Sequence, residues 1–200
     1  MRPPVSDQTR FLLRATLCFG GLLVLWWFVL LTPLVDYARI STDLILSTLT
    51  GANLQTGIDV RPNGNWIIQA PATVDGRTRN VRVEAPPRLA KQLTIALPLF
   101  WAIILAAPRC TRMWRILGIG TVLLLVLPPT GLLIYTAHVV RIYVYPNAGF
   151  IEYVLALADY IASTVAPYFA PVLLALGLHA ELRHTVLEGA APQPLPKVNL

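Results

Sequence analysis

Residues 15–34 read ATLCFGGLLVLWWFVLLTPL, a run without a single charge. At 1.5 Å per helical residue it covers about 30 Å, the thickness of a bilayer's hydrocarbon core. Val35 completes the span as residues 15–35, and Asp36 ends it. Ahead of it, residues 1–14 hold Arg2, Arg10 and Arg14 against one acid, Asp7. A secretory leader also places cations before an apolar core, but that core is only about 7–15 residues long and a small-x-small cleavage site follows it. No such site follows Trp26-Trp27-Phe28. The segment is therefore expected to remain as an anchor, with its basic side in the cytoplasm.

The whole chain has the same texture. Of its 200 residues, 56% are hydrophobic and 13% charged, and the mean hydropathy is +0.61. Soluble domains carry about 25% charged residues. A chain of this size has no interior large enough for so much apolar surface, so lipid is the expected solvent. Disorder, a collagen-like chain and a disulfide scaffold are excluded by the same composition, with two Cys, 12 Gly and no short repeat. The net charge of +6 does not point to nucleic acid, because no basic stripe is interleaved with aromatics.

Three further spans follow. Residues 93–108, LTIALPLFWAIILAAP, are short and contain Pro98; Arg88 and Lys91 ahead of them can add a turn with their heads snorkelling to the interface. Residues 116–137 carry Pro128-Pro129, which removes backbone donors and bends a helix. Such breaks survive in a membrane where neighbouring helices cover the freed carbonyls. Residues 151–178 are too long for one perpendicular span, so a tilted helix is expected, or an interfacial turn followed by a span from about Asp159. The loop 109–115, RCTRMWR, has three Arg and no acid. Positive loops stay inside, so both ends, including the tail 179–200 with its disordered Pro-rich end, are expected in the cytoplasm. Residues 36–92 and 138–150 then lie outside.

The outer segment 36–92 differs in texture. In Ile40–Leu49 the apolar positions 40, 44, 45 and 49 form one helical face, closed by Gly51-Ala-Asn53. This helix is expected to lie on the membrane or to continue the first span. Asn63-Gly64 and Asp75-Gly76 separate strand-like runs, the last alternating at Val81 and Val83, and predict three or four short antiparallel strands. Their apolar face needs a cover: the bilayer surface, the Ile40 helix or a partner. The expected fold class is thus membrane all-α, four transmembrane helices with a small extracytoplasmic α+β insertion (a β-hairpin) between spans one and two.

No HExxH, P-loop, GxSxG or GxGxxG occurs, and no catalytic residue, cofactor-binding residue or metal ligand is assigned. Cys18 and Cys110 fall at different depths and cannot pair, and His138, His179 and His184 are too scattered for a zinc site. Acids within a span are expensive and default to a function. Glu152 and Asp159, seven apart, share a helix face, and Arg141 or His138 can reach them. The preferred reading is an ion pair holding the outer loop to the fourth span; an ion site or a socket for a partner's cation is the alternative. Ala158, Ala162 and Ala166 form a smooth stripe beside Asp159, while Pro167 and Pro171 free carbonyls, so this helix is expected to face protein. By that reading Ala162→Leu should disturb more than Leu124→Ala. Arg61, Arg77, Arg79, Arg82, Arg88 and Lys91 make the outer segment basic, suited to a solvated face or to an anionic lipid head or acidic partner.

The order of these features resembles the exosortase H-associated membrane proteins of Gram-negative bacteria. The resemblance rests on RLAKQLTIALPLFWAIILA (88–106), the Arg-rich turn, and IASTVAPYFAPVLLALGLHAEL (161–182) with Pro167-Tyr-Phe-Ala170-Pro171. It implies a multi-pass inner-membrane protein accompanying an exosortase, a transpeptidase-like membrane enzyme that uses embedded Cys, Arg and His. Here no such trio shares a depth. The resemblance therefore implies a non-enzymatic accessory subunit in protein sorting or envelope export, its partners lipid and an integral membrane protein. A small ion-coupled transporter using Asp159, a structural subunit of another membrane assembly and a membrane enzyme of unknown type are the alternatives. The lack of an inverted repeat counts against the transporter.

Overall fold

The computed structural model describes residues 7–50, 57–62, 64–74, 77–107, 112–144, 149–180 and 182–183. Helix α1 (Asp7–Leu25) passes through a π-helical turn, Trp26–Leu30, into α2 (Leu31–Thr50). Strands β1 (Gly57–Val60), β2 (Trp66–Val74) and β3 (Arg77–Ala85) follow. Then come α3 (Pro87–Thr94), α4 (Ala96–Ala106), α5 (Met113–Leu124) and α6 (Leu127–Val144). Helix α7 (Phe150–Tyr160) continues through a second π turn, Ile161–Val165, into α8 (Ala166–Leu178). These combine into four helices long and apolar enough to cross a membrane: Thr9–Thr48, Pro87–Ala106, Met113–Val144 and Phe150–Leu178.

Proline accounts for the interruptions. A proline ring collides with the carbonyl four residues earlier and gives it no N–H. Pro33 addresses Val29 and Pro167 addresses Ser163, each inside a π turn. Pro98 addresses Thr94, the last residue of α3, and Pro128 addresses Leu124, the last residue of α5. The helix thus loosens one turn ahead of each proline, and Pro128-Pro129 falls in the first turn of α6, where missing donors cost least. Pro129 leaves the Leu125 carbonyl without its helical partner, and the Tyr37 hydroxyl of α2 donates to it at 3.2 Å. A neighbouring helix covers the freed carbonyl, as a membrane requires. Pro171 alone of these sits inside an unbroken helix.

The sheet is an antiparallel meander, β1-β2-β3. The Arg61–Asn65 loop closes with the Gly64 amide donating to the Arg61 carbonyl and the Arg61 amide to the Asn65 carbonyl. Gly64 takes φ 82°, the left-handed conformation that ends such a three-residue loop and that favours glycine. Asn63, Asp75 and Gly76 lie outside the described residues, but Val74 pairs with Arg77 on either side of the second turn. Register places Ile58, Ile68 and Val83 in one row across the sheet, with Trp66 opposite Ala85. That face is buried against Ala38 and Leu46 of α2, Leu89, Ala90 and Leu93 of α3, and Leu132 of α6.

Two open alternatives are decided and two expectations corrected. First, Ile40–Leu49 continues the helix of the first long segment, one of its two expected placements, with Ile40 and Leu44 of its apolar face 62% and 66% exposed. The face on the sheet is Val35, Ala38, Thr42 and Leu46, smaller and partly polar, with the Thr42 hydroxyl donating back to the Ala38 carbonyl at 2.7 Å. Small residues win there because they let the sheet approach the helix. Second, the fourth long helix runs continuously from Phe150 to Leu178 through its π turn, which is the single-helix alternative and not the interfacial turn. Third, residues 138–144 continue α6 rather than opening a loop. Fourth, the tail does not leave the bundle at residue 179: His179 and Leu182 are buried, and Leu182 joins the core around α4. Gly51–Asn53, Cys110, His184 and the Pro-rich end lie outside the described residues.

The short second span is the hub. Helix α4 packs on α1, α5 and α8, and Leu97, Phe100 and Ile104 are fully or almost fully enclosed. Leu124 of α5 is 1% exposed in the same cluster. Leu124 is thus enclosed in the bundle while Ala162 is half-buried on its flank, so substitutions at the two act on different contacts.

Candidate interaction site on the last long helix

The π turn Ile161–Val165 begins two residues after Asp159. Single π turns recur at functional sites because they swing side chains out of the regular helical order. Here the Ser163 hydroxyl donates to the Asp159 carbonyl at 2.6 Å, returning a bond the widened turn gives up. The Asp159 carboxylate meets the His138 ring of α6, Nδ1 to Oδ2 at 2.9 Å, with both side chains about one-sixth exposed (16% and 17%). Its other oxygen, Oδ1, is buried without a hydrogen-bond partner among the described residues. One turn earlier on α6, Tyr135 donates to the Glu84 carbonyl at the end of β3, at 3.0 Å. The polar face of α6 thus ties the last long helix at one point and the sheet at another.

Of the two side chains that could reach the acids, His138 rather than Arg141 meets Asp159. Glu152 and Arg141 are half-buried, and Glu152 makes no ion pair with a described residue. Ala158, Ala162 and Ala166 are half-buried, whereas Pro167 and Pro171 are fully packed, one turn apart, on the side continued by Ala175 and His179. The helix therefore turns its proline edge into the bundle, and the alanine stripe lies along the flank. Beyond that flank the surface is apolar and aromatic, with Leu157, Tyr160, Ile161 and Phe169 exposed.

Two glycines outside this stripe mark close contacts between other helices. A Cβ on Gly120 of α5 would stand 2.0 Å from Phe100 Cζ, and one on Gly131 of α6 would stand 2.6 Å from Leu93 Cδ2. Neither glycine belongs to a repeated small-residue pattern, so periodicity could not reveal them. The sheet's outward face is a ladder in which Glu84 accepts from Asn65 at 2.6 Å and lies 3.9 Å from Arg61, while Gln69 donates to Asp59 at 3.4 Å. Arg77, Arg79 and Arg82 are exposed on β3, and Lys91 lies 5.1 Å from the centre of the Trp27 ring, a cation–π contact between α3 and the first π turn.

Among the described residues no three His, Cys, Asp or Glu side chains gather as a metal would require. No curated protein and no solved structure matches the chain. The family model of the exosortase H-associated membrane proteins matches residues 5–182, which takes in all four long apolar helices and the sheet, and the chain belongs to that family.

Proposed function

We propose that this protein is a non-enzymatic accessory subunit of a bacterial inner-membrane complex whose partner is an exosortase-type enzyme. The family match over residues 5–182 carries the reading. The use of the polar side chains supports it: His138 and Asp159 join two helices, Tyr135 holds the sheet, and Trp101 Nε1 donates to the Thr121 hydroxyl between α4 and α5 at 2.8 Å. They are spent on architecture. The positive charge of Arg109, Arg112 and Arg115 supports a cytoplasmic α4–α5 connection, with both ends inside and the sheet outside. The partner docks on the flank of the fourth long helix, where Ala158, Ala162 and Ala166 allow a close helix approach beside exposed Leu157 and Ile161.

The tagged protein, extracted from its native membrane in mild detergent, should bring an exosortase with it, and Ala162→Leu should abolish the capture while the chain stays folded. A clean monomer from the same extraction refutes the subunit reading. One observation favours a second reading, an ion-coupled role: the unpartnered Asp159 Oδ1 inside an apolar helix. That reading requires cation or proton flux in liposomes that Asp159→Asn removes.

A further inference from the structure

At the end of the bundle where α1 begins and α4 and α8 finish, there is a partly open cavity of about 370 Å3. Phe11, Leu12 and Ala15 form one wall, Val172, Leu176 and Leu182 the other, and Ile103 of α4 the floor. Every lining residue is apolar. Five arginines stand at the same end. Arg10 and Arg14 neighbour the α1 wall, Arg183 follows Leu182, and Arg112 and Arg115 open α5; all five are exposed. None of the five makes an ion pair with a described residue.

The shape restricts what can fill this space. A helix with its side chains is at least about 10 Å across, far wider than a single hydrocarbon chain, so this partly open apolar space suits the chain better. Left empty, it would forfeit dispersion contacts along all its walls, and apolar walls do not retain water. A flexible hydrocarbon chain can thread it. The charge at the opening selects the head attached to that chain, because guanidinium groups bind phosphate oxygens through paired hydrogen bonds. Basic pockets between transmembrane helices are a recurrent setting for anionic lipid heads.

We infer that this cavity seats an acyl chain of an anionic glycerophospholipid, with its phosphate held by Arg10, Arg14 and Arg183. The inference rests on the membrane-spanning reading alone and is independent of the partner's identity. The test uses the full chain, purified and exposed to mixed micelles of phosphatidylglycerol and phosphatidylcholine, with bound lipid counted by native mass spectrometry. The protein should retain one phosphatidylglycerol with a preference of at least about tenfold over phosphatidylcholine. Arg10→Gln, Arg14→Gln and Arg183→Gln combined should erase that preference. Ala15→Phe, which fills the cavity without changing charge, should remove both lipids. Val172→Phe fills it from the opposite wall and serves where Ala15→Phe fails to fold by circular dichroism. Equal retention of the two lipids overturns the inference, as does retention that persists in the folded filling variant. A lipid-free protein whose filling variant loses a co-purifying subunit overturns it in favour of a protein side chain in the cavity.

Discussion

Gly118 and Gly120 stand two positions apart on α5, and alanine should have opposite effects at them. A Cβ on Gly120 would lie 2.0, 2.4 and 2.9 Å from three atoms of the Phe100 ring, whereas one on Gly118 has nothing within 4 Å. Carbon atoms rest at about 3.5–4.0 Å, so the ring would have to withdraw by at least about 1.5 Å. It has no room to do so, because Phe100 is 0% exposed at the centre of the α4–α5–α8 cluster. Either the ring leaves its rotamer or the helices part. Overpacking of this kind costs about 1–3 kcal/mol, and more where the backbone must shift. Gly118→Ala carries no clash and gains up to about 1 kcal/mol of helix propensity. Thermal unfolding in a fixed detergent measures both. At about 2–4 °C per kcal/mol for a chain of this length, Gly120→Ala should lower the midpoint by about 2–12 °C, and Gly118→Ala should leave it unchanged or raise it. Phe100→Leu, destabilising by itself, should remove most of the penalty of Gly120→Ala, giving a coupling of about 0.5–3 kcal/mol. Equal effects of the two alanines, or strict additivity of Gly120→Ala with Phe100→Leu, would refute the packing argument.

Leu124→Ala should cost about 2–5 kcal/mol in the same assay, since it empties an enclosed site, while Ala162→Leu should change the isolated chain by less than that and act on partner capture. His138→Leu should destabilise by about 1–3 kcal/mol by leaving the Asp159 carboxylate without its donor, and adding Asp159→Leu should restore part of the loss; an additive double variant would show that the 2.9 Å contact carries no energy. For orientation, an impermeant thiol reagent applied to intact cells should label Asn63→Cys and spare Gln193→Cys, both in a Cys18→Ala, Cys110→Ala background; the reverse pattern would invert the topology.

The long apolar helices were legible in composition and run length because lipid imposes a local rule. Each segment must satisfy its own backbone and present carbon outward, so a window of about 20 residues suffices to recognise it. The hairpins were equally legible, because Asn63-Gly64 and Asp75-Gly76 are short-range turn signals and Val81 and Val83 carry the strand period. Which side of a helix meets protein was not legible. In α2, Ile40 and Leu44 point outward, while Ala38, Thr42 and Leu46 lie on the buried side toward the sheet. Hydrophobicity ranks faces for water, but in and near a bilayer both faces can be apolar, and closeness of approach decides between them. The same reason hid Gly120 and Gly131, which matter through Phe100 and Leu93 on other helices, and the enclosure of Leu124, which looks like any leucine of a span. The choice of His138 for Asp159, and of Tyr37 for the Leu125 carbonyl, depended on contacts 21 and 88 residues apart in the chain. Chain order states which groups need partners; only the packing of α2, α6 and the last long helix determines which partners they meet.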